Sequence, residues 1–227
     1  MITSEDSTGQ GLILISAGRR SVFQHVIFNK LHNPIENNWA LAGSVTFYKS
    51  PVSMDKCEFI KSYSDESLSI IKSDFEISHS IFRNLESTAV NSFSSQGKIF
   101  NSNFVNLKMN GILVTNSTCQ MDKIIFTEVK KIAICATARS HIKAESIEII
   151  NSIQAIECKD LSKLEIDNLY LNDCNLGFFL HQERSEYGPA EISVTNFREQ
   201  NVKEKYKLQG ASHLEINGIV MKINDLN

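Results

Sequence analysis

The chain has 227 residues, 42% of them hydrophobic, and a formal net charge of −3. That length suits one or two domains with an apolar core, and the charge argues against broad electrostatic attraction to nucleic acid. No run of 18 apolar residues occurs, so no segment reads as a membrane-spanning helix.

Met1 to Asp6 lacks the basic and apolar regions of a signal peptide, which leaves a cytoplasmic chain or one whose leader has been removed. Gly11 to Ile15 then reads as a strand with no cap before it, so the N-terminal coil is expected to offer a bare edge for self-association. From residue 67 a repeat takes over. A small residue recurs every 22 positions, at Ser67, Ala89, Gly111, Ala133, Ala155 and Gly177, and the next residue is apolar each time, from Leu68 to Phe178. A second register runs in phase: apolar, any, apolar, then an apolar anchor five residues on, as in Phe75/Ile77/Phe82 and Leu164/Ile166/Leu171. It extends outward to Ser21/Phe23/Phe28, Ala190/Ile192/Phe197 and Leu214/Ile216/Met221. Anchors stand 22 to 24 residues apart, except for gaps of 31 after Phe28 and 26 after Leu171, which are expected to bulge as loops.

Apolar residues alternate within each unit, the mark of strands rather than helices. Units of 22–23 residues hold three short strands and three turns. The expected fold is all-β, a right-handed parallel β-helix of about nine coils, some 40 Å long at about 4.8 Å per coil. Leucine-rich repeats have a similar length but need Leu and an Asn ladder where this chain has Phe, Ile and Val. Asn84, Asn106 and Asn151 fall two residues past their anchors, at corners where Asn tolerates a left-handed backbone. One domain is expected over 1–227: an N-terminal coil and long loop at 12–48, regular coils at 49–197, and a polar insertion with a closing coil at 198–227.

The five cysteines, Cys57, Cys119, Cys135, Cys158 and Cys174, include no CxxC pair. They read as reduced structural thiols, Cys119 and Cys158 facing inward and Cys135 outward, with no metal and no cofactor. Reduced thiols fit the cytoplasm.

Several stretches carry a family resemblance: His25 to Phe28, Trp39 to Tyr48, Leu68 to Ile77, Cys158 to Asn168 and Glu186 to Pro189. They resemble the β-helix segment found in some bacterial proteins beside a domain of the spore-coat H kinase-like family, over about residues 8 to 195. More broadly the chain is similar to the pectin-lyase-like superfamily, whose catalytic members cleave acidic polysaccharides. That resemblance implies acidic residues on one outward face of the middle coils. The positions here are Glu66, Thr88 and Asn110 in one stack and Asn91 and Leu113 in the next, so only Glu66 is acidic.

Three function classes stay open, the third of them a self-assembling structural module that stacks through its bare N-terminal coil. The first is a non-catalytic scaffold recognising an extended carbohydrate or a protein partner along a preformed wall. It would use Glu66, Asn91, Asn110, Leu113, Cys135, Lys159, Asp160, Phe179 and His181, several of them apolar where a surface should be polar. A loop bearing Trp39 is the plainer expectation for what covers them. The second class is a lyase or hydrolase using Glu66 with Lys159 or Asp160; paired carboxyl groups in a cleft distinguish it. The outward ladder Glu76, Lys98, Gln120, Lys143, Glu165, Glu191 alternates in sign and reads as a solvated face.

Overall fold

The computed structural model describes residues 1–6, 8–36 and 39–222. Among them there is no helix; the chain winds as a parallel β-solenoid. Each coil contributes one strand to a nine-stranded first sheet, which runs in chain order from Leu12–Ile15 to Glu204–Leu208. The rest of each coil enters a 15-stranded second sheet. Its central strands, Gln96–Leu107, Thr118–Val129, His141–Ile150 and Lys163–Asn172, each contain a residue with positive φ: Asn101, Lys123, Ser146 and Asn168. Each left-handed residue bends the strand and drops out of the ladder, which resumes at the next residue, as where Phe100 pairs with Asp122 and Ser102 with Ile124. The corner asparagines Asn84, Asn106 and Asn151 share that conformation, with φ near 55°.

The 22-residue period is the register itself: Leu68 pairs with Val90, Val90 with Ile112, Ile112 with Ile134 and Ile156 with Phe178. The small-residue column is set by close approach. A Cβ on Gly111 would come within 2.6 Å of the Ala133 carbonyl oxygen and of the Phe126 ring. The anchors form the core. Phe28, Phe59, Phe82, Phe104 and Phe126 stack in one file with ring centroids 4.6–4.9 Å apart, and Ile149 and Leu171 continue it. A buried serine file forms one corner. The backbone N–H groups of Ser50, Ser73, Ser95, Ser117 and Ser140 each donate to the hydroxyl of the serine one coil on, ending at Ser162. These bonds satisfy backbone groups that turn away from both sheets.

Four expectations need correction. The polar stretch 198–211 is a coil, not an insertion: Arg198–Gln200 pairs with Tyr170–Asn172, and Glu204–Leu208 with the strand Leu176–His181. It is polar because only one neighbour covers it. The insertion in this region is the loop after His181, residues 182–190, which slips the sequence register by two, so Leu164 pairs with Ile192 rather than Ala190. For the same reason Ser193, not Glu191, follows Glu165 in the charged ladder. The N-terminal segment is also not bare throughout, because Ile2–Thr3 pairs with Phe28–Asn29.

Candidate functional site

Two outward faces carry polar chemistry. On the first sheet the outward residues fall into columns. The middle one runs Thr46, Ser69, Asn91, Leu113, Cys135, Glu157, Phe179. Alternation points these side chains away from the core, yet Thr46, Ser69, Cys135 and Glu157 are buried. This column is therefore a strip of the first sheet's outer face recessed from solvent, the furrow of this fold. The Trp39 side chain, expected as its cover, lies outside the described residues.

The expected site residues separate into two groups along this furrow. At one end Glu66 stacks on Thr88 and Asn110, with Asn91 beside it. The Asn91 amide donates to Glu66 Oε1. Burial pushes the Glu66 carboxyl above its ordinary range, and nearby Asp65 adds to this; hydrogen bonds from Ser69 and Asn91 offset only part of it. Glu66 Oε2, Asn91 Oδ1 and Asn110 Oδ1 are buried acceptors without a hydrogen-bond partner. Leu113 lies further along the floor, between the two groups.

At the other end Cys135, Lys159, Asp160, Phe179 and His181 gather around Glu157. The Cys135 thiol donates to Glu157 Oε2 at 3.2 Å, and His181 Nε2 lies 3.0 Å from Glu157 Oε1. Burial, then the adjacent Glu157, pushes the thiol well above its ordinary range, so Cys135 is a neutral donor rather than a nucleophile. The Phe179 and His181 rings stack at 4.2 Å and 13°. Lys159 bonds Glu183. Burial acts to lower the ammonium, but Glu183 and Glu157 carry it net upward, and Lys159 in turn holds Glu183 below the usual carboxylate range.

Asp160 is buried and engaged: it accepts the backbone N–H groups of Glu183 (2.8 Å) and Arg184 (3.0 Å) and the Thr137 hydroxyl. It fixes the loop that brings Glu183 to Lys159, a structural duty that the expected binding role did not include. The proposed pairing of Glu66 with Lys159 or Asp160 fails. Their strands lie four steps apart in the first sheet, roughly 19 Å at 4.8 Å per step, too far to act on one glycosidic bond.

Glu157 and Glu183 are the site residues that sequence reasoning left out. Glu157 had a signal, a carboxylate in a column otherwise apolar or small on both sides. Glu183 had none, because its approach depends on the path of a loop. Among the described residues no group of three or more His, Cys, Asp or Glu side chains is arranged to hold a metal ion.

On the second sheet an open groove of about 810 Å³ crosses five coils, from Lys98 to Thr195. It is floored by the ladder Lys98, Gln120, Lys143, Glu165 and by a second ladder two residues on, Phe100, Asp122, Glu145, Asp167.

Residues 67–205 match the family described as right handed beta helix region. Among solved structures, the chain is similar to polygalacturonase from Erwinia carotovora ssp. carotovora at 10% identity and a TM-score of 0.51, covering 91% of this chain and 85% of that one. It is also similar to the catalytic domain of a GH87 alpha-1,3-glucanase in complex with nigerose, at 11% identity and a TM-score of 0.40, covering 95% of this chain and 55% of that one. It thus spans about half the length of the glucanase domain. At such identities the likeness is one of fold. No curated protein matches at a significant level.

Proposed function

The chain belongs to the right-handed β-helix region family, and from that premise we propose that it is a carbohydrate-active β-helix. It holds an extended polysaccharide along the furrow of the first sheet and hydrolyses it at the Glu157 end. The observation that carries this reading is the cluster itself: a buried carboxylate bonded to an imidazole, beside a rim carboxylate held ionised by Lys159. Glycoside hydrolysis needs two carboxyl groups in one patch, one to give a proton and one to activate water or attack the anomeric carbon. Glu183 fits the second role. The hydrogen-bonded Glu157–His181 pair is assigned the first. The stacked Phe179 and His181 rings offer a flat apolar face to a sugar ring. Glu66, Asn91 and Asn110 present unpaired acceptors to sugar hydroxyls farther along.

Polygalacturonate and α-1,3-glucan, named by two proteins of the same fold, are the first polymers to try. Release of new reducing ends from either is expected to fall at least about 100-fold in Glu157→Gln and in Glu183→Gln, the scale of a lost acid–base group. Absence of product from a broad polysaccharide panel, or product unaffected by both substitutions, overturns the hydrolase reading.

Binding without cleavage is the second reading. It is favoured by the engagement of both Glu157 oxygens and by the distance to Glu66, the other buried furrow carboxyl. Under it, polymer affinity survives in Glu183→Gln and falls in Glu66→Gln; a protein partner along the same furrow is the alternative occupant. The narrower likeness to β-helices beside spore-coat H kinase-like domains is a further proposal on which neither reading depends.

A further inference from the structure

Beside the furrow column the outer face of the first sheet carries an apolar row. Ile15 pairs with Tyr48, Tyr48 with Ile71 and Ile71 with Phe93. Four apolar side chains therefore stand one above another on successive coils, about 4.8 Å apart. They share the outward parity of Thr46, Ser69 and Asn91. None is sealed from water: Ile15 is 62% and Phe93 43% exposed, and Tyr48 and Ile71 are half-buried. Lys49 packs on the Tyr48 ring, 5.5 Å from its centroid, which leaves Phe93 as the open aromatic face. Past Phe93 the row turns polar, at Thr115 and Thr137, and farther on it holds Lys159 and His181 of the Glu157 cluster. A contiguous apolar row left open to water marks a contact surface.

The neighbours of the row define what it contacts. On the same coils Glu66 Oε2 and Asn91 Oδ1 are acceptors with no hydrogen-bond partner, and the Asn91 amide donor is already spent on Glu66. An apolar row edged by acceptors that need donors is amphipathic across its width. A sugar ring matches it, with C–H groups on its face and hydroxyl donors on its rim. A uronate matches it less well, because it brings acceptors to acceptors and a negative charge toward Glu66. The strands of the middle coils are paired on both sides, so this face offers no edge to an added strand.

We propose that this row is the seat of a neutral glycan, an extended polymer of uncharged hexoses that lies along the coil stack with its apolar faces on Tyr48, Ile71 and Phe93 and its hydroxyls toward Asn91 and Glu66. The seat is continuous, through Thr115 and Thr137, with the Glu157 end. The inference deepens the carbohydrate-active reading and rests on it, but none of the three apolar residues belongs to the acid–base pair.

The test measures, by calorimetry, the affinity of a hexamer of α-1,3-linked glucose, of cellohexaose and of hexagalacturonate for the full chain and for Phe93→Ala, Phe93→Tyr and Glu183→Gln. At least one neutral hexamer is expected to bind, and to bind about tenfold more weakly in Phe93→Ala, the scale of one lost stacking contact. Phe93→Tyr keeps the ring and is expected to bind as the parent does. Because Phe93 is a surface residue, the melting temperature of Phe93→Ala is expected to stay within about 2 °C of the parent. Glu183→Gln is expected to keep the affinity while losing any cleavage. Hexagalacturonate is expected to bind at least about tenfold more weakly than the better neutral hexamer. Equal neutral-hexamer affinity in the parent and Phe93→Ala overturns the seat and leaves the carbohydrate-active reading standing. So does tighter binding of hexagalacturonate, which would mean that Lys49 and Lys72 at the adjoining corner outweigh Glu66. A monomer–dimer equilibrium abolished by Phe93→Ala gives the row to a second copy and overturns the seat likewise. Binding of no hexamer overturns the seat, and overturns the carbohydrate-active reading too where no polysaccharide yields new reducing ends.

Discussion

At the scale of single residues, the buried carboxyl of Glu66 makes a claim that pH can check. Its proton is held more tightly in the folded chain than in the unfolded one, because burial disfavours the charged form and Asp65 adds repulsion. A carboxyl raised in this way costs stability as pH climbs from its unfolded value toward its folded value, and the full cost is present above the latter. Below pH 4 it is protonated in both states and contributes nothing to the pH dependence. Glu66→Gln keeps the shape and an acceptor for the Asn91 amide while removing the ionisation. The melting temperature of this variant is expected to match the parent at pH 4 and exceed it at pH 7. A difference that does not change between the two would place the Glu66 carboxyl in contact with solvent, contrary to its environment here.

At the scale of elements, the phenylalanine file shows what a periodic sequence can disclose. Phe59, Phe82, Phe104 and Phe126 announce themselves because in-register parallel pairing turns a constant sequence interval into physical adjacency. Phe104 lies between rings at 4.9 and 4.8 Å and is fully buried. Phe104→Ala removes its contacts on both sides, and the coils above and below, held by their own ladders, cannot collapse into the space. A loss of about 3–5 kcal/mol is expected, a fall of roughly 10 °C in melting temperature for a chain this long, with Phe104→Leu losing much less. Other devices were equally periodic and harder to see. Ser50, Ser73, Ser95, Ser117, Ser140 and Ser162 keep the same interval, but a serine in a turn reads as ordinary turn chemistry, and its bond to the next coil appears only once the coils are stacked. Where the interval breaks, so does legibility. The loop at 182–190 shifts the last coils by two residues, and a shift of two preserves the alternation of a strand, so Ile192 and Val194 could not be told from Ala190 and Ile192 by pattern alone. The site suffers similarly: Cys135, Phe179 and His181 share a face by register, whereas Glu183 joins them only because Asp160 holds a loop.

For the molecule as a whole, the two ends of the stack are not equivalent. At the C-terminal end the last strand of the first sheet, Glu204–Leu208, carries Lys205 and Lys207, paired with Glu199 at 2.9 Å and Glu204 at 3.0 Å. Nearby, Ile219–Val220 turns back antiparallel on Glu215 and Ile216. Charged edge strands and a reversed hairpin both block the addition of another parallel strand. Among the described residues the opposite edge has neither device. Leu12–Ile15 is uncharged and pairs on one side only, with the strand Gly43–Tyr48. Leu12 and Leu14 pack against the core, while Ile15 and, on the edge of the second sheet, Val22 are more than 60% exposed. Such an edge is a template for a strand from another chain. Two copies meeting edge to edge in antiparallel fashion present the same surface to each other, which closes the assembly at a dimer instead of propagating a fibre. Sedimentation equilibrium is therefore expected to show a concentration-dependent monomer–dimer equilibrium. Ile13 faces outward, opposite Thr46, so Ile13→Lys places a charge on the edge without entering the core and is expected to leave only monomer with an unchanged melting temperature at low protein concentration. A parent that stays monomeric up to its solubility limit, or a dimer untouched by Ile13→Lys, removes this edge as the contact.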